Sequence, residues 1–127
     1  MRVIIKNSSD TPIYEQICDQ IKQAILGDEL TEGDVLPSIR QLAADLKVSV
    51  MTTTRAYNEL ELEGYVVNVQ GKGCYVAPKD SKLIREQLLR RIEEHFGAAI
   101  ETARMAGLSR DELRHLFSFT LEGSDDE

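Results

Sequence analysis

Two stretches of this 127-residue chain carry side chains suited to gripping a polyanion. The first is Ser49-Val50-Met51-Thr52-Thr53-Thr54-Arg55, with Ser38 and Arg40 upstream of it. Short hydroxyl side chains at the start of a helix reach base edges in a DNA major groove. The helix start itself offers free N–H groups and a partial positive charge to phosphate. An arginine such as Arg40 pairs through a fixed fork with guanine or with phosphate. The second stretch is Gln70-Gly71-Lys72-Gly73, where Gly71 lets backbone approach a ligand closely and Lys72 adds charge. Val50 and Met51 donate no side-chain hydrogen bond and suit thymine methyl groups instead. The candidate contacts are therefore Ser38, Arg40, Ser49, Val50, Met51, Thr52, Thr54, Arg55, Gln70, Gly71 and Lys72.

Other chemistries find little support. There is no P-loop, no pair of carboxylates in a Gly-rich context and no defensible Ser/His/Asp set, so no enzyme and no cofactor are expected. His95 and His115 lie near Glu94, Asp111 and Glu112, but their separation fits no metal motif, and surface histidines are the expected reading. Cys18 and Cys74 are widely spaced and read as reduced thiols. Cys74 would sense oxidants only if Lys72 depressed its pKa, and a half-buried structural thiol is expected.

The elements that must position these residues follow from periodicity. Residues 2–6 (RVIIK) read as a short strand and Asn7–Asp10 as a turn. Thr11 then Pro12 read as an N-cap and a proline at the first helical position. Ile13, Ile17, Ile21 and Ile25 form the apolar stripe of a helix that ends at Gly27. Ser38 and Gln41 have capping-box spacing, opening a helix with Ile39, Leu42, Ala43 and Leu46 inward. Lys47-Val48 is a tight connection. Ser49 caps a third helix over roughly 50–63, with Thr53, Ala56, Tyr57 and Leu60 inward and Gly64 at its end. Two β-rich runs, 65–69 and 74–77, flank the Gln70–Gly73 loop as a hairpin. Three helices and then a hairpin is the order of a winged helix-turn-helix. Pro78-Lys79-Asp80 reads as a boundary, giving a DNA-binding domain over 1–78 and a helical region over 79–127.

That second region reads as two helices. Ser81 caps one with Ile84, Leu88, Ile92, Ala99, Ile100 and Ala103 on one side, ended at Gly107. Ser109 and Glu112 make a capping box for the other, which carries Leu113, Leu116, Phe117 and Leu121. Two such helices bury little alone and need a partner. The fold class is thus α+β, mostly helical, with an N-terminal winged helix-turn-helix and a small C-terminal helical dimerisation region.

Net charge is −7, which weighs against nucleic acid when taken alone. Its distribution changes the reading. Within 35–58, Arg40, Lys47 and Arg55 face only Asp45, and 64–79 holds Lys72 and Lys79 with no acid. Such a chain should bind DNA through a shaped, local surface rather than a general positive field. The start, MRVIIKNSS, holds no long apolar run, so a cytoplasmic protein with no membrane association is expected.

Three motifs go further. Leu36-Pro37-Ser38-Ile39-Arg40-Gln41-Leu42-Ala43, Arg55 through Tyr65 (RAYNELELEGY) and Gly71-Lys72-Gly73-Cys74-Tyr75-Val76 resemble the GntR family of bacterial regulators. Pro12 through Ile17 (PIYEQI) resembles the start of that family's first helix, and the likeness spans about 10–78. The short tail, with Ala106-Gly107-Leu108-Ser109 between helices, resembles the YtrA-type subfamily. The resemblance implies a homodimeric repressor on inverted-repeat double-stranded operator DNA. It implies that Arg40, the tip at Ser49–Arg55 and the wing Gly71 touch DNA, and that the tail helices make the dimer. Ser49-Val50-Met51-Thr52 departs from the family's more polar tip, which leaves the operator sequence open. The tail is too short for a large ligand domain, so a small-molecule effector would need a dimer-interface pocket. A winged helix that serves protein partners is the alternative; it predicts an apolar patch near Met51 and no salt-sensitive DNA affinity.

Overall fold

The computed structural model describes residues 1–79 and 81–124. The order is α1 (Ile13–Leu26), α2 (Ile39–Leu46), α3 (Val50–Leu62), β1 (Val66–Val69), β2 (Gly73–Val76), α4 (Lys82–Met105) and α5 (Arg110–Gly123). The chain is thus mostly helical with one small sheet. It divides into two compact units, Met1–Gln87 and the chain from Leu88 onward.

In the first unit, α1 packs on α3 and α3 on α2. Ile17, Ile21 and Ile25 of α1 meet Ala56, Tyr57 and Leu60 of α3 in a fully buried core. Both faces follow the 3.6-residue period of the sequence. Strands β1 and β2 pair antiparallel, with Val66 opposite Val76 and Val69 opposite Gly73. The segment ahead of α2 lies along the other edge of β2. Gly33 N donates to Val76 O at 2.9 Å, Val76 N to Asp34 O at 2.8 Å and Leu36 N to Cys74 O at 2.8 Å. The hairpin is therefore hydrogen-bonded directly to the lead-in of α2.

The N-terminal segment differs from the sequence expectation. Residues 2–6 form no strand. Their main chain is held by two glutamine side chains of α1. Ile4 N donates to Gln20 Oε1 (2.8 Å) and Gln20 Nε2 donates to Ile4 O (2.6 Å). Lys6 N and O make the same exchange with Gln16 at 2.9 and 3.0 Å. A side-chain amide carries the donor and acceptor of a peptide group, so one helix face replaces a neighbouring strand. The start of α1 also shifts. Pro12, not Thr11, is the N-cap, and no side chain caps it. The Thr11 carbonyl instead accepts from Gln16 Nε2 at 2.9 Å.

Three caps match the sequence and one does so only in part; at α4, Ser81 Oγ accepts from Ile84 N at 3.2 Å. Ser109 and Glu112 form the full reciprocal capping box of α5. Ser49 Oγ accepts from Thr52 N at 2.9 Å. Ser38 Oγ accepts from Gln41 N at 3.1 Å, but Gln41 does not reach back. Its amide donates forward to Asp45 Oδ1 at 2.8 Å, where a carboxylate one turn on is the stronger acceptor.

In the second unit, α4 continues through Gly97 and closes at Gly107, with Leu108 N bonded to Ala103 O at 3.0 Å. Phe96 and Phe117 meet edge to face at 5.9 Å. Among the described residues no helix is long and apolar enough to cross a membrane, and no cluster of His, Cys, Asp or Glu could hold a metal.

Candidate nucleic-acid interface

Arg40 is the second residue of α2. It is exposed, and it makes no ion pair or hydrogen bond among the described residues. Its helix start is fixed from two sides. The Leu36–Cys74 bond ties the lead-in to the hairpin, and Tyr57 of α3 donates its hydroxyl to Pro37 O at 2.7 Å. Tyr57 is otherwise buried, so this bond satisfies its one polar atom and sets Ser38 and Arg40 against α3. Burial also raises its pKa.

Lys47 ends α2 in the left-handed conformation (φ 58°) and opens the three-residue turn to α3. The α3 start that follows is exposed at Ser49, Val50 and Met51, while Thr52 and Thr54 are half-buried. The hydroxyls are engaged locally: Ser49 Oγ with Thr52 Oγ1 at 2.8 Å, and Thr54 Oγ1 with Val50 O at 2.9 Å. Thr53 points into the core.

Arg55 is not a free side chain. Its guanidinium carbon lies 3.7 Å from the centroid of the Tyr14 ring of α1, a cation–π stack that fixes its plane. In the sequence Tyr14 stands out only as part of the PIYEQI motif, which does not announce this role. The only available signal was a tyrosine one residue off the isoleucine period.

Gln70, Gly71 and Lys72 are all exposed in the turn between β1 and β2. Gly71 has φ +79°, and a Cβ there would meet nothing within 4 Å, so the glycine serves the backbone conformation and leaves the tip open. Lys72 N donates to Val69 O at 2.9 Å, and Tyr75 donates its hydroxyl to Lys72 O at 3.1 Å, which closes the turn. Lys72 makes no ion pair among the described residues. Asn68 joins the hairpin to α3: its N and Nδ2 donate to the two Glu61 carboxylate oxygens at 3.1 and 2.8 Å, holding that carboxyl below its ordinary pKa.

Neither cysteine has the environment of a reactive thiol. Burial pushes Cys74 up to about 11, with the Glu61 carboxylate adding to the effect. Burial pushes Cys18 up to about 12, against the opposing pull of Lys22. Cys18 Sγ donates to the Ala56 carbonyl at 3.3 Å.

Three packed helices, a three-residue turn (Lys47, Val48, Ser49) before the third and a two-stranded hairpin bonded to the lead-in of the second define a winged helix-turn-helix, with α3 in the recognition position. Residues 13–76 match the model of the bacterial regulatory proteins, gntR family. The HTH-type transcriptional repressor YtrA of Bacillus subtilis is 36% identical over 105 residues, covering 83% of this chain and 81% of that one. YtrA from Sulfolobus acidocaldarius, a GntR-family transcription factor, is similar in structure, with 42% identity and a TM-score of 0.61 over 75% of this chain and 97% of that one. AraR(DBD) in complex with operator ORX1 is similar at 25% identity and a TM-score of 0.54, over 61% of this chain and 96% of that one. The chain therefore belongs to the gntR family of bacterial transcription regulators, DNA-binding proteins, and its short helical tail gives it the YtrA form.

Proposed function

We propose that the protein is a cytoplasmic homodimeric repressor that occupies an inverted-repeat operator, acting by occlusion and not by catalysis. In this reading residues 1–78 bind DNA and 79–127 make the dimer. The observation that carries it is Arg40: an exposed arginine with no side-chain partner among the described residues, on a helix start hydrogen-bonded both to the recognition helix and to the wing. Ser38, Arg40, Ser49, Val50, Met51, Thr52, Thr54 and Arg55 then face the major groove and its flanking phosphates, and Gln70, Gly71 and Lys72 face the backbone beside it. A repressor among the relatives and an operator complex among the structural neighbours support the same reading. Twofold symmetry would set two recognition helices about one DNA turn apart, ~34 Å.

Selection of bound duplexes from a random pool by the purified protein tests this, with a gapped inverted repeat expected. Arg40→Ala should weaken binding to the selected site by about 10- to 100-fold, the loss of one bidentate contact, with fold and dimer unchanged. Unchanged affinity would remove Arg40 from the site. One observation favours a second reading, a winged helix that docks proteins: Met51 is 82% exposed. Titration with duplex at two salt concentrations separates the two, since only a DNA binder loses affinity steeply as salt rises.

A further inference from the structure

We infer that the tip of α3 reads an A·T base pair, with Val50 and Met51 on the thymine methyl and the Thr54 hydroxyl on the adenine amino group. This rests on the operator-binding function proposed above and names the chemistry that its recognition helix takes.

The inference comes from where each hydroxyl proton goes. Thr54 Oγ1 lies 2.9 Å from the Val50 carbonyl oxygen. A carbonyl oxygen only accepts, so the single hydroxyl proton of Thr54 is committed inward. Outward, Thr54 offers a lone pair. That lone pair takes a hydrogen bond from an amino group and gives none to the N7 and O6 acceptors of guanine. Thr53 donates inward in the same way, to Ser49 O at 3.3 Å, and is fully buried. The Ser49 hydroxyl donates to Thr52 Oγ1 at 2.8 Å, so the Thr52 proton stays available, on another side of the helix from Thr54. The Arg55 guanidinium is held over Tyr14. On the helix face that carries Val50, Met51 and Thr54 the free chemistry is therefore one acceptor and two exposed apolar side chains.

Val50 lies four residues before Thr54 and Met51 three, so all three share one helix face as neighbours. In the major groove the A·T pair alone presents both a methyl group and an amino group; a G·C pair has the cytosine amino group but no methyl. The face matches A·T on both counts. Guanine readout then falls to groups off this face that carry donors, Arg40 among them.

The test uses the full-length protein and a half-site that it has itself selected. Each thymine is replaced in turn by uracil, which deletes the methyl, and each adenine by purine, which deletes the amino group. At one position uracil should weaken binding about fourfold, the effect of one buried methyl group. The V50A/M51A variant should bind the thymine and uracil duplexes equally. Thr54→Val should bind the adenine and purine duplexes equally, and Thr54→Ser, which keeps the acceptor, should restore the difference. Val50 and Met51 are exposed and Thr54 is half-buried, so none is a core residue, and circular dichroism verifies the fold. Uracil tolerated at every position, or a uracil penalty that persists in V50A/M51A, would overturn the inference. A selected half-site with no A·T requirement overturns it while leaving operator binding in place. A pool that stays random overturns both.

Discussion

Before Gln87 the chain buries whole side chains: Tyr57, Tyr65, Ile17, Ile21, Ile25, Leu60 and Ile84 are all essentially inaccessible. From Leu88 onward the described residues bury only Ala103, while Leu89, Ile92, Phe96, Ile100, Leu116, Phe117, Phe119 and Leu121 stay exposed in the single chain. Both regions have clean helical periodicity and satisfied caps, so local sequence quality does not separate them. What differs is closure. Three helices and a hairpin enclose a core; two helices leave each other's outer faces wet, and most helical stability in proteins comes from packing. The comparison teaches that the first unit is equipped to fold alone and the second to be completed by another surface. It is the physical support for the proposal that α4 and α5 make a dimer.

The largest effect that could break this comparison is a matched pair of truncations. Leu60→Ala should lower the stability of the winged-helix unit by about 2–5 kcal/mol, the range for a buried leucine. Leu116→Ala, on an exposed α5 face, should leave that unit's unfolding midpoint unchanged and raise the dimer dissociation constant. Denaturant melts followed by near-ultraviolet circular dichroism, beside sedimentation of each variant, read the two quantities separately. A Leu116→Ala protein that loses winged-helix stability while remaining dimeric would show that the tail serves the core and not association.

A pair of glycines sharpens where the first unit ends. Gly64 (φ +86°) and Gly71 (φ +79°) adopt the same left-handed backbone, which costs any other residue about 1–2 kcal/mol. Their surroundings differ. A Cβ on Gly64 would sit 2.7 Å from Leu83 Cβ in the first turn of α4, whereas one on Gly71 meets nothing within 4 Å. Gly64→Ala should therefore cost about 2–4 kcal/mol, strain plus overpacking, and Gly71→Ala only the strain. Equal losses in a urea melt would mean that Leu83 yields freely and that the compact unit stops short of α4.

These effects depend on features that were unevenly legible in the sequence. The stripes of α1 and α3 were plain because a buried helix face repeats its apolar residues. The hairpin was plain because glycines bracket its turn. The N-terminal segment was misread because RVIIK has the composition of a strand, while its partners are Gln16 and Gln20, whose side-chain amides carry no periodic signal. The polar tip and Arg40 were legible as residue types. The contacts that fix them were not: Arg55 on Tyr14 and Tyr57 on Pro37 join residues of different elements, and nothing local marks such a pair.

The smallest effect is visible only in thiol chemistry and at high pH. Both cysteines lie in the first unit and both are buried, so they report on that unit alone. Alkylation needs the thiolate. Burial moves Cys18 from 9.0 to about 12 and Cys74 from 9.0 to about 11, so at pH 8 the native protein should react with iodoacetamide slowly, and in urea at the rate of free thiols. The same shifts fix a sign for stability. A thiol whose folded pKa lies above its unfolded value contributes stability that is fully present below pH 9 and is lost as the pH rises toward 11 and 12. The urea midpoint should hold level up to pH 9 and then fall, and Cys18→Ala should remove part of that slope. Dilution to the monomer should change neither the alkylation rate nor the alkaline decline, because the tail holds no cysteine and both thiols are already buried within the single chain. Rapid alkylation on dilution, with secondary structure retained, would instead make the first unit's closure depend on the second, and the contrast between them would collapse.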